Sequence, residues 1–227
     1  PNNQFSANLS LETDTAAYFL TTNAGNNLRI TDGVNDVANN NLPPDQSVIY
    51  HYRYDFQNML NRGRAVYYGT NVYSSTYDIG EWWSSNDFYP NIPLKLNAGN
   101  LYATNASVTP QLNISVAGTS VANGANRTIE VAINGSTVIS TNSVTNMNAA
   151  VLSSTVNNSL INTTNTSFAI FDINNQINDH VVVGFIDLSY ARTFNFGGAN
   201  NFAFSLPATA VGNYLKITNF GSSNAML

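Results

Sequence analysis

The chain has 227 residues, of which only 9% are charged, and its formal net charge is −5. Two lysines, Lys95 and Lys216, and one basic cluster, Arg53, Arg62 and Arg64, interrupted by Asp55, cannot supply the clustered cations that displace counterions from nucleic acid or hold an anionic membrane surface. There is no cysteine, which excludes disulfides, thiolate metal sites and a thiol nucleophile in this chain.

Asn replaces charge as the surface polar group, at about one residue in six. Asn favours turns and the left-handed backbone region, which suits a loop-rich β protein. The length is enough for one sandwich domain with a good core. No apolar run approaches the ~18 residues of a membrane span, and no signal peptide is visible. The abrupt start at Pro1 and the apolar end at Leu227 read as an excised or processed segment.

In chain order, alternation of apolar and polar residues predicts many short strands. The candidates are Ala16–Thr22, Ser47–Tyr54, Ala65–Tyr68, Ile92–Leu96, Gln111–Ala117, Thr128–Ile133, Thr137–Ser140, Ser167–Ile173, Val181–Tyr190, Asn201–Leu206 and Tyr214–Thr218. The clearest hairpin joins Arg127–Ile133 to Ser136–Ile139 through Asn134-Gly135, a pair that supplies both positive-φ positions of a type I′ turn. Helix is expected in only two places. Asp55–Asn61 has a capping Asp and a Gly63 stop, and Asn148–Leu160 has apolar residues near helical spacing. Gly33–Asp45, with Pro43-Pro44, reads as a linker. The expected layout is therefore an N-terminal β segment and linker over 1–45 and an all-β, antiparallel, jelly-roll-like sandwich over 46–227. The near-continuous apolar run from Val181 implies a central strand, with Val181, Val183 and Phe185 expected on one face and Val182, Gly184, Ile186 and Leu188 on the other.

Three stretches carry a family resemblance. Ser47–Gly69, SVIYHYRYDFQNMLNRGRAVYYG, has a tyrosine-rich strand, then Gly-Arg and an aromatic-aromatic-Gly. Leu112–Ile139 has a strand followed by one ending in Asn-Gly. Gly184–Phe204, GFIDLSYARTFNFGGANNFAF, has a Phe-Ile-Asp-Leu strand leading to Arg and a further strand. In order and spacing these resemble the region ahead of the catalytic domain in gingipain/PorU-like cysteine peptidases of the type IX secretion system. The resemblance spans about residues 45–220. It departs at Val66–Thr70, where the family carries Trp and an acidic residue. The family's catalytic His and Cys lie in a later α/β domain, so no catalytic residue is carried over. What it implies is an accessory domain of a bacterial surface, outer membrane-associated or secreted peptidase, partnered by the downstream peptidase domain of the same polypeptide or by secretion-system components. The strand ending in Asn-Gly and the Phe-Ile-Asp-Leu strand also resemble galactose-binding-like jelly rolls, a fold shared by carbohydrate-binding modules. The two resemblances agree on fold and differ on function.

The candidate ligand-binding residues are aromatic: Tyr67, Tyr68, Tyr73, Tyr77, Trp82, Trp83 and Tyr89. Sugars stack on such rings, and Asp78, Glu81, Asn86 and Asp87 lie among them to bond hydroxyls. The plain alternative is a strand with Trp82 and Trp83 on opposite faces, one in the core and one outside. Gly69, Gly80, Pro90 and several Ser punctuate Tyr67–Tyr89, so a long loop is expected there. His51 and His180, the only histidines, match no metal template and read as structural or surface residues. Glu130 reads as solvent-facing, and nothing singles out a carboxylate pair for glycoside hydrolysis. Asp32-Gly33 with Asp36 reads as a turn rather than a calcium loop. No phosphate-cradling motif, metal site or cofactor is indicated.

Overall fold

The computed structural model describes residues 41–61, 64–67, 71–74, 82–104, 107–119, 126–145, 148–161, 164–173, 179–206, 209–210 and 212–222. At 61, 64–67, 71–74, 82, 126 and 143 it describes the backbone alone. The strands are β1 (Val48–Asp55), β2 (Met59–Asn61), β3 (Arg64–Tyr67), β4 (Asn71–Ser74), β5 (Trp82–Ser84), β6 (Leu94–Gly99), β7 (Gln111–Gly118), β8 (Asn126–Ile133), β9 (Ser136–Thr145), β10 (Ala149–Thr155), β11 (Thr166–Asp172) and β12 (Val181–Arg192). One 3₁₀ turn, Asn158–Leu160, is the only helical element among the described residues. The strand expected at Ala16–Thr22 and most of the N-terminal segment over 1–45 lie outside the described residues.

Eight strands make two antiparallel sheets, β1-β12-β7-β10 and β6-β11-β8-β9. Counted among these eight in chain order, the first sheet holds the first, eighth, third and sixth, and the second holds the second, seventh, fourth and fifth. That is the double Greek-key path of a jelly roll. The inward positions of both sheets interlock in one core that includes Leu112, Ile114 and Val116 of β7, Ile129, Val131 and Ile133 of β8, Phe168 and Ile170 of β11, and Ile186, Leu188 and Tyr190 of β12. Burying each such aliphatic side chain stabilises the fold by about 1.5–3 kcal/mol before entropy is counted.

The Asn134-Gly135 turn forms as the sequence predicts, with φ of 48° and 82°. Asn134 also reaches across the second sheet. Its Nδ2 donates to the Leu160 carbonyl at 2.6 Å, and its Oδ1 accepts from the Ser167 N–H at 2.9 Å and hydroxyl at 3.1 Å.

Neither expected helix forms as an α-helix; the second stretch holds only the 3₁₀ turn at its end. Over 55–61 the backbone is claimed by neighbouring strands: the Phe56 N–H donates to the Gly184 carbonyl and the Asn58 N–H to the Ser84 carbonyl. Over 149–155 the chain is β10, paired residue for residue with β7. There Leu152 points inward, and Val151 stands 58% exposed. Tertiary pairing overrides the weak helical spacing of this Ala- and Val-rich segment. The strands expected at Asn201–Leu206 and Tyr214–Thr218 are irregular chain with isolated bridges at Ser205 and Thr218. Their apolar side chains instead join Val48, Phe194 and Phe196 in a satellite cluster. The Arg192 guanidinium seats this segment, 4.7 Å from the Tyr50 ring, 4.9 Å from Tyr102 and 4.6 Å from Phe202.

β12 is central, but its faces differ from the simple alternation. A register shift between Val183 and Phe185 places a bulge at Gly184. Val181 and Val183 therefore share the core with Ile186, Leu188 and Tyr190, while Val182 and Phe185 turn to the other side. One extra residue in a strand flips the phase of everything beyond it. The displaced Phe185 N–H is satisfied by the buried Ser115 hydroxyl at 2.9 Å. The bulge also divides the strand between partners. Residues 185–192 pair with β1. The part before the bulge bonds to the segment after β5, with the Ser85 N–H donating to the Val183 carbonyl and reciprocal bonds between Phe88 and Val181.

Candidate functional site

The outer face of the first sheet concentrates the polar chemistry of the chain. Alternation along β1 turns His51, Arg53 and Asp55 outward, and the bulge brings Phe185 and Asp187 to the same face. Asp187 lies between two side chains, 3.3 Å from His51 Nδ1 and 3.4 Å from Arg53 Nη1. Arg53 also donates to Asp55 from Nη2 at 2.9 Å, and its guanidinium lies 3.5 Å above the Phe185 ring. The row continues through Asn113 on β7, which accepts from the Ser153 hydroxyl of β10 at 2.6 Å. Such exposed pairs contribute at most about 1 kcal/mol each to stability; their larger effect is to hold donors and acceptors at fixed positions on an open surface.

A second polar group sits beside the start of β12. His180 Nδ1 lies 3.3 Å from Asp87 Oδ2, and the Thr119 hydroxyl donates to Asp87 Oδ1 at 3.0 Å. The Tyr89 ring meets the His180 imidazole edge-on, with centroids 4.5 Å apart, and is 47% exposed. Both histidines of the chain are thus paired with an Asp distant in sequence, one pair at the middle of β12 and one beside its start. This arrangement offers a ring face, a carboxylate and an imidazole to a polar ligand.

Just beneath, the start of β8 and the end of β11 meet the residue that leads into β12. Arg127, Asp172 and Asp179 are all fully buried. Arg127 Nε donates to Asp179 Oδ1 at 2.7 Å, and Nη2 makes a second, shorter bond to the same oxygen. The His180 N–H reaches that oxygen too, at 3.0 Å. Burial, followed by the charge and hydrogen bonding of Asp179, raises the Asp172 carboxyl to about 7, with Arg127 opposing. Burial also pushes the Tyr190 hydroxyl up, and that hydroxyl donates to the Leu101 carbonyl at 2.5 Å in the core.

The candidate aromatics fall as follows. Tyr68 and Tyr77 lie outside the described residues. Tyr67 and Tyr73 belong to the hairpin of β3 with β4, opposite Asn71 and Ala65. Trp82 and Trp83 sit on β5, opposite Asn61 and Leu60 of β2, and the Trp83 side chain is half-buried. Tyr89 is set beside the polar group just described. The long loop expected within Tyr67–Tyr89 falls largely outside the described residues, which include the short strands β4 and β5. Sequence reasoning treated His180 and Asp87 separately, because 93 positions divide them. The buried trio had a faint signal: Asp172 closes one apolar strand and Asp179 immediately precedes another. Glu130 is half-buried opposite Ser140 and Phe171, less open than the alternation suggests.

No family model matches the chain, and no curated protein matches it significantly. Among solved structures, dimeric latent PorU from Porphyromonas gingivalis is similar with a TM-score of 0.46 and 10% identity, over 67% of this chain and 13% of that one. A carbohydrate-binding module, CBM36, in complex with calcium and xylotriose, is similar with a TM-score of 0.36 and 16% identity, over 60% of this chain and 98% of the module. The chain spans about an eighth of the PorU chain.

Proposed function

We propose that the chain is a non-catalytic accessory domain of a gingipain/PorU-like cysteine peptidase, of the type IX secretion sortase type, at the bacterial surface. It would support or position a peptidase domain of the same polypeptide. The observation that carries this reading is where the resembling stretches fall. They supply β1, β12 and β7, three adjacent strands of one sheet, together with the β8–β9 hairpin of the other. The resemblance therefore follows the framework of the domain. With no cysteine, a thiol nucleophile has to come from elsewhere in the polypeptide. The outer row of His51, Arg53, Asp187 and Asn113 is a ready surface for a neighbouring domain, since its polar groups are already oriented. The test is to purify this chain and the parent's peptidase domain separately, then measure their association by calorimetry and peptidase activity with and without this chain. Binding weakened by Arg53→Ala or Asp187→Ala is expected. No association, with a peptidase domain equally stable and active alone, would refute the reading.

A second reading is a carbohydrate-binding or adhesion module. It is favoured by one observation, the exposed Tyr89 ring flanked by Asp87 and His180. Saturable oligosaccharide binding lost in Tyr89→Ala would establish it; no binding across a broad glycan panel would remove it.

A further inference from the structure

The two sheets of the sandwich end in β1 and β10 and in β6 and β9. A sheet edge is a template for pairing with another chain unless something blunts it. Three of these edges are guarded. The free side of β1 exchanges backbone bonds with Ser205, in both directions between Ile49 and Ser205 at 3.2 Å. β6 carries the exposed Lys95 and meets β11 with a register shift. β9 has two register shifts against β8, and its Val138 carbonyl accepts the Ser154 hydroxyl at 2.9 Å. β10 has no such device. It is seven residues, AAVLSST, in one unbroken register with β7. Among the described residues its ladder runs to β7 alone.

The bonds that flank β10 fix the direction of its backbone groups. The Gly118 N–H donates to the Asn148 carbonyl, and the Val156 N–H to the Pro110 carbonyl. Antiparallel pairs alternate between bonded and non-bonded. Ala150, Leu152 and Ser154 therefore bond to β7, whereas Ala149, Val151, Ser153 and Thr155 aim N–H and C=O away from it. The same four residues turn their side chains to the outer face, where Val151, Ser153 and Thr155 are exposed.

We propose that β10 is a dimerisation edge, through which two copies of this chain pair antiparallel and join their first sheets across a twofold axis at Leu152. Register, charge and preorganisation all favour a second copy over other occupants. An axis at Leu152 sets Ala149 opposite Thr155 and Val151 opposite Ser153. Every outward residue then meets an outward residue, and each such pair exchanges two backbone bonds. Each copy carries a net charge of −5, yet no charged residue, histidine or proline occurs between Glu130 and Asp172. Two copies meet at β10 without bringing like charges together, and an acidic or basic partner finds no charge there to read. A second β10 also arrives already extended on its own β7, whereas a free peptide loses conformational entropy when it pairs. The contact is one strand long, about 23 Å at ~3.3 Å per residue, and so belongs to the small, weak class of interface.

The experiment is sedimentation velocity of the full chain from about 10 μM to about 1 mM, with amide exchange by NMR at both ends of that range. A reversible monomer–dimer equilibrium is expected. In dilute protein the Leu152 and Ser154 amides should be protected and those of Val151, Ser153 and Thr155 should exchange fast; in concentrated protein the second set should become protected as well. Val151→Pro removes an outward N–H and no bond to β7, and Val151→Lys places a cation on the edge. Each should weaken the dimer about tenfold or more. If Val151→Pro does not fold, Val151→Lys, at an exposed position, decides alone. A chain that stays monomeric at the highest concentration overturns the proposal. So does a dimer that Val151→Lys leaves unchanged, because the copies then meet elsewhere. Protection of the outward amides in the dilute monomer overturns it too, since another segment of the same chain would then cover the edge.

Discussion

Asn134 combines a backbone role with a side-chain role, and a substitution series can separate them. Its φ of 48° lies in the left-handed region. That conformation costs an ordinary L-residue about 1–2 kcal/mol, and Gly adopts it freely. Its side chain bonds to the Leu160 carbonyl and to the Ser167 N–H and hydroxyl. Each is worth about 0.5–1.5 kcal/mol net. Asn134→Gly keeps the turn and loses the bonds, so a loss of about 1–3 kcal/mol is expected, allowing for water replacing part of them. Asn134→Ala also strains the turn and should cost about 1–2 kcal/mol more than Gly. Urea unfolding at constant m-value is the assay, read as the shift of the midpoint. Equal losses in Gly and Ala would show that the turn conformation contributes nothing. A neutral Asn134→Gly would show that the cross-sheet bonds do not stabilise the domain.

Ile186→Ala should lose about 2–5 kcal/mol as a core truncation, whereas Val151→Ala, at an exposed position of β10, should stay within about 0.5 kcal/mol by the same urea assay. Tyr190→Phe should cost about 1–3 kcal/mol by leaving the buried Leu101 carbonyl without its donor; a neutral result would mean that water replaces the hydroxyl. Asp187→Asn, at the surface pairs with His51 and Arg53, should change stability by at most about 1 kcal/mol, and a larger loss would mark the outer face as structural.

The elements that the sequence reveals are those set by local chemistry. Asn134-Gly135 announces its turn because few other residue pairs accept two positive φ values. The strand Val181–Tyr190 announces itself by unbroken apolar character. Its facing is a different matter: Gly184 is a small residue in an apolar run, and only the pairing with β7 shows that it introduces a bulge. β10 looks like a helix because Ala149, Ala150, Leu152 and Val156 suit either period, and β7 decides between them. The irregular C-terminal segment looks like strands because Phe202, Phe204 and Leu206 alternate. In the fold that alternation serves packing against Phe194 and Phe196, without a ladder. At the candidate site, Tyr89 is identifiable as an aromatic in a punctuated segment. The Asp87–His180, His51–Asp187 and Arg127–Asp179 pairs are products of topology, joining residues that no local pattern relates.

The path of β12 has a consequence for how the domain is made. Val48, at the start of the first sandwich strand, pairs with Arg192, at the end of the last. β12 also separates β1 from β7. During synthesis, β1 and β7 therefore have no strand between them until nearly the whole domain has emerged. Contacts so far apart in sequence fold slowly, and unpaired strands held open in the meantime are prone to aggregate. The first sheet is thus completed late, so truncation ahead of Val181 should leave β1 without its partner strand.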